Sequence, residues 1–177
     1  MHFGQGGQGF EYVYKAFWLL KMPVDIFKYR NWVLETEKEQ TKALYNKVPM
    51  GGAQDCGCGT CRDFILLRDK IYPDEVKSLF EKLGVDINKE VEVCDFGDTE
   101  TGYIFSWWFH FVREIIDGDD CNVPIETNGF TIDLTPIDDI FSIGFTRKIS
   151  LTLVEKQQGL IQIELMTKVP NLSVAKN

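Results

Sequence analysis

Apolar positions along the chain follow two rhythms, and the change comes near Asp86. From Val24 to about Lys47, Ile26, Tyr29, Trp32 or Val33, Thr36, Gln40, Ala43 and Leu44 recur at roughly helical spacing, with Glu35, Glu37, Lys38, Glu39 and Lys42 on the other face. This pattern predicts a helix with Asp25 as N-cap, ended by Pro49 and Gly51-Gly52. A second helix is expected from Cys61 to about Lys70, with Thr60 as its N-cap and Asp63 three residues on as in a capping box. A third opens at Pro73, carries Asp74 and Glu75 in its first turn, buries Val76, Leu79, Phe80 and Leu83, and stops at Gly84.

Beyond Asp86 the period falls to two. Val91, Val93 and Asp95 alternate with Glu92, Cys94 and Phe96, and residues 97–102 read as a turn. Tyr103–Val112 is apolar on both faces, which marks a central strand. Asp117–Asp120 reads as a solvated turn. Gly129–Leu134 reads as a strand closed by Pro136, and Ile140–Leu153 as one or two more. Leu160–Met166 completes the set, paired with Leu151–Val154 through a turn at Gln157-Gln158-Gly159. Helices first and strands later predict an α+β fold, N-terminal helices followed by a mainly antiparallel sheet. Residues 1–22, Gly/Gln-rich and then aromatic, are expected to be a non-native or disordered extension, and residues 23–177 a single domain.

Between the two rhythms lies Gly51–Phe64, which holds three of the five cysteines in a C-x-C-x-x-C spacing. Glycines at 57 and 59 let the backbone curl and turn several sulfurs toward one centre. Cys61 falls at the start of the expected helix, where free N–H groups and the helix dipole favour a thiolate. Three thiols at this spacing suit a soft or borderline metal, zinc first among them. Zinc takes four ligands, so Cys56, Cys58 and Cys61 need a fourth from Cys94, His110, Cys121 or Asp55. Two other readings compete. Cys58 and Cys61 have the spacing of attacking and resolving thiols in a redox protein, and all three cysteines can be small buried hydrophobes in a tight loop. His110, among aromatics on the central strand, is more simply a core histidine than a ligand.

Composition narrows the partners. The net charge is −8, and residues 71–139 hold 17 of the 27 acidic residues against 4 of the 19 basic ones. A field of that sign opposes a nucleic-acid backbone and suits a basic protein partner, as an acidic inhibitor or immunity-type protein would have. The longest apolar run is too short to span a membrane. An odd cysteine count and no evident secretory leader predict a cytoplasmic protein with reduced thiols. The chain has no Walker loop, H-E-x-x-H or G-x-S-x-G, so no catalytic residue is assigned.

From Val24 onward the chain resembles a bacterial family of small acidic proteins with no assigned function. The resemblance is carried by Tyr29-Arg30-Asn31-Trp32, by Val48–Phe64 with its cysteine block, by Tyr72-Pro73, Leu83–Asp86 and Glu92-Val93, and by Trp108-Phe109-His110-Phe111-Val112. The family usually has Asn at the position of Asp63 and Tyr at that of Cys94. The resemblance therefore implies that Cys94 is not an essential ligand and leaves His110 as the fourth-ligand expectation beside Cys56, Cys58 and Cys61. The reading is thus a cytoplasmic binding or interaction module with a zinc-type cysteine loop.

Overall fold

A computed structural model describes residues 23–99, 102–126, 129–155 and 157–169. The expectation for residues 1–22 lies outside the described residues. The fold is α+β with a mainly antiparallel sheet, but the chain enters it through strands. Strand β1 (Asp25–Tyr29) and β2 (Trp32–Thr36) form a hairpin where a helix was expected. Tyr29 pairs with Trp32, so the chain reverses at Arg30-Asn31, with Arg30 at φ 50°. Trp32, Leu34 and Thr36 are buried while Val33 and Glu35 are half-buried, an alternation that suits one face of a sheet. Only the end of the expected helix is helical, as α1 (Lys38–Tyr45).

Helices α2 (Gly52–Cys56), α3 (Gly59–Ile71) and α4 (Asp74–Leu83) follow. The α4 helix matches its sequence signals: Val76, Leu79, Phe80 and Leu83 are buried, and Gly84 takes φ 78° against the carbonyl of Lys38. No helix among the described residues is long and apolar enough to cross a membrane.

The sheet is built on β4 (Gly102–Asp117). On one edge β4 pairs with β9 (Leu160–Val169), which continues to β8 (Phe141–Thr146) and the short β7 (Thr135–Pro136). The other edge is shared end to end by β3 (Val93–Thr99) and β2. The expected strand at 129–134 is a short β6 (Phe130–Ile132), paired with β5 (Asn122–Pro124) in a separate two-stranded sheet. Residues 147–155 form no strand. The expected pairing of Leu151–Val154 with the last strand is replaced by β9 lying between β4 and β8. That segment instead crosses the sheet face, where Ser150 N–H donates to Gln162 Oε1 and Trp108 Nε1 donates to the carbonyl of Leu151.

The alternation of β4 decides which chemistry meets which layer. Phe105, Trp107, Phe109 and Phe111 are buried, and the helices pack against this set: Phe64 lies 5.1 Å from the Trp107 ring and Phe80 lies 4.9 Å from Phe109. Trp107 Nε1 donates to Tyr72 Oη at 2.6 Å, so the indole N–H is paired within the core. Trp108, His110 and Val112 alternate to the opposite face, where Trp108 and the His110 partner Gln162 meet residues 150 and 151.

Candidate metal centre

The cysteine block is pinned before its first thiol. Gly52 N–H donates to the carbonyl of Glu90 at 2.7 Å. A Cβ at Gly52 would stand 2.1 Å from the carbonyl oxygen of Val91, and one at Gly51 2.6 Å from that of Asn88. The two glycines are therefore required by close approach of two backbones. Beneath them lies the fully buried carboxylate of Glu90, which accepts from Ala53 N–H at 3.1 Å and from Arg68 Nη1 at 3.2 Å. Burial pushes the Glu90 carboxyl up, against the pull of Arg68 and the Ala53 amide. Sequence reasoning missed this pair, because an acid and a base 22 residues apart carry no local signal.

Helix α2 ends at Cys56. Gly57 follows at φ 60° and its N–H returns to the carbonyl of Ala53, so the chain turns sharply between the first two thiols. Cys58, not Thr60, is the N-cap of α3. Its backbone is extended and its sulfur accepts from Cys61 N–H at 3.5 Å. The displaced Thr60 hydroxyl instead donates to Asp95 Oδ2 at 3.4 Å, tying the loop to β3. Arg62 Nη1 donates to the carbonyl of Gly57 at 2.7 Å and braces the turn from the other side. Cys61 is the third residue of α3 and faces the core one turn before Phe64.

These local choices bring the sulfurs of Cys56, Cys58 and Cys61 within 4.8 Å of one another, with the first two exposed and the third buried. The thiol of Cys58 is lowered, chiefly by the Cys61 amide and then by the neighbouring thiols. Burial pushes Cys61 up to about 12, helped by hydrogen bonds and charge from the other two. The expectation that Cys61 is the helix-favoured thiolate is thus corrected. The helix begins two residues earlier, so its capping position falls on Cys58.

His110 does not join this group. It lies on the far face of β4, where its Nε2 meets Gln162 Oε1 at 3.3 Å and burial pushes its pKa down to about 4. The register separates the other candidates too. Asp95 pairs with Phe105 and reaches Thr60 on the helix side, whereas Cys94 pairs with Ser106 and faces away. Cys121 packs on Gly144, which pairs with Glu164 and through it with Trp108, so it also lies on the far face. Burial raises both thiols, Cys121 to about 12. Asp55 sits on the exposed side of α2 next to Cys56 and is not drawn into the group. Among the described residues, only the three loop cysteines converge as a set that can hold a metal ion.

A cleft of about 630 Å³ lies elsewhere, between α1 and α4. Lys38, Lys42 and Lys77 share its rim with Asp69, Glu81 and Asp86 over a floor of Tyr45, Phe80 and Val85, so its charge selects neither an anion nor a cation.

No protein-family description, curated protein or solved structure matches this chain.

Proposed function

We propose that the protein is a metal-binding module whose ligands are the thiolates of Cys56, Cys58 and Cys61. The convergence of the three sulfurs within 4.8 Å carries this reading. Thiolate ligands select soft and borderline ions, and zinc is the ion we assign to the loop. With three protein ligands the fourth zinc position is left to water or to a group from a partner, the arrangement of a reactive or partner-bridging site rather than a closed structural one. The acidic surface of residues 71–139 favours a basic protein as that partner, in a cytoplasmic setting that keeps the thiols reduced. The test is elemental analysis of protein purified without chelator or affinity metal, with thiol counting. About one equivalent of zinc, lost in Cys58→Ser, supports the reading. No bound metal even after reconstitution, with all five thiols free, overturns it.

A second reading rests on a different feature of the loop. An exposed Cys58 caps α3 above a buried Cys61, the relation of an attacking to a resolving thiol. It requires a reversible Cys58–Cys61 disulfide, which peptide mapping after mild oxidation would find or refute.

A further inference from the structure

Three ligands fill the valence of one class of ion and leave another incomplete. Zinc wants four ligands in a tetrahedron, and among the described residues three thiols are what the site brings together. Trivalent arsenic and antimony form three bonds in a shallow pyramid, and a lone pair occupies the remaining direction. We propose that the Cys56–Cys58–Cys61 loop takes trivalent, three-coordinate thiophilic metalloids, arsenic(III) and antimony(III), in preference to tetrahedral divalent ions. The proposal rests on the reading of this loop as a soft-metal site.

Three features of the loop fit that chemistry. The first is closure without refolding. Gly52 N–H on the carbonyl of Glu90 and the Thr60 hydroxyl on Asp95 hold the two ends of the block, with the three sulfurs already within 4.8 Å of one another. The second is access on one side. Nothing lies within 4 Å of where a Cβ would stand on Gly57 or Gly59, so the solvent side of the loop has room for an entering hydroxide and later for the lone pair. Cys61 closes the other side from the core.

The third feature is charge. Arsenous acid, As(OH)3, is neutral. It condenses with three thiols to give As(SR)3 and three waters. Each As–O bond is replaced by an As–S bond, each thiol proton leaves on a hydroxide as water, and no electrons are transferred. The product is neutral. Zinc on the same sulfurs requires three thiolates and leaves a net negative centre, in a loop where Asp55 and Asp63 outnumber Arg62 and in a chain of net charge −8. With one of the sulfurs buried, the adduct of no net charge is the one burial penalises least.

The experiment uses the full reduced chain with sodium arsenite, zinc chloride and both together. It is read by intact mass under native conditions, by free-thiol counting and by bound zinc. The expected result is one arsenic per chain with three thiols consumed, displacement of pre-bound zinc by arsenite, and loss of stoichiometric binding in Cys56→Ser and in Cys58→Ser. Cys94→Ser, on the far face, should bind as the parent does. Both loop variants change an exposed side chain, and a thermal melt confirms that they fold. If zinc binds at one equivalent while arsenite consumes fewer than three thiols or fails to displace it, the metalloid proposal is wrong and the metal-site reading stands. If neither ion binds, both fall.

Discussion

The hydroxyl of Tyr45 donates to the carbonyl oxygen of His110 and accepts from its amide, each at 3.0 Å. One side chain thereby does the work of a strand. Along this edge of β4, β3 ends its pairing at Trp107 and β2 begins at Arg113. The gap is closed by Val91 N–H on the carbonyl of Trp108, by Tyr45 on His110, and by Thr41 Oγ1 and Glu37 N–H on Val112.

Removing that hydroxyl leaves two buried backbone groups of one residue without partners. Tyr45→Phe should therefore cost about 2–4 kcal/mol, well above the loss of a single exposed hydrogen bond. Urea denaturation would measure it. Metal stoichiometry should be unchanged, because the cysteines meet a different part of the structure.

The Arg68–Glu90 pair supports the cysteine block from below. Truncating one partner of a buried ion pair typically costs about 3–5 kcal/mol, so Arg68→Ala should lower stability by roughly 3 kcal/mol, Arg68 being slightly exposed. Without the guanidinium, Glu90 is easier to protonate than to keep charged, so the deficit should shrink as pH falls. A deficit that stays constant between neutral and mildly acidic pH would show that the charge of Glu90 does not matter.

Two glycines of the loop should respond differently to the same substitution. Gly52→Ala places a methyl group 2.1 Å from a backbone oxygen, which only separation of α2 from residues 90–92 can relieve. We expect that variant to be severely destabilised and to lose metal binding. Gly57→Ala meets no atom within 4 Å and has only its φ of 60° to accommodate, at about 1–2 kcal/mol. Thermal melts of the two variants, side by side, separate steric from conformational cost.

His110 gives a signed pH dependence. Its folded pKa of about 4 lies below the ordinary value of 6.5, so between those values the unfolded chain binds a proton that the folded chain refuses. Stability from this group is full above about pH 6.5 and is lost as pH falls toward 4, amounting to roughly 3 kcal/mol. Burial raises Glu90 and Glu164 in the opposite sense, so the test is a difference: wild type minus His110→Gln, from urea midpoints across pH 4–8. A flat difference would rule this assignment out.

Local signals carried some of these elements and not others. Helix α4 was legible because Pro73 and Gly84 punctuate it and four apolar residues fall on one face. The β1–β2 hairpin was not. Its reversal at Arg30-Asn31 contains no glycine or proline, and the helical rhythm of α1 runs back over it without a break. The cysteine loop was legible because three thiols within six residues have little freedom to part. Its cap was misplaced by two residues because Thr60 is the usual capping type and a sulfur acceptor at Cys58 is not. The placement of His110 was beyond reach for a plainer reason. A strand apolar on both faces does not say which face the helices cover.

The sheet also acts as an insulator for thiol chemistry. With the partly exposed Cys94 and the buried Cys121 on its far side, the three loop sulfurs have only one another as disulfide partners within the folded protein. An odd set forms one disulfide and strands one sulfur, and when that sulfur is Cys56 or Cys58 it is exposed. A disulfide that takes Cys61 therefore leaves a single unpaired thiol at the surface, ready to cross-link to another chain, whereas a Cys56–Cys58 disulfide leaves the buried Cys61.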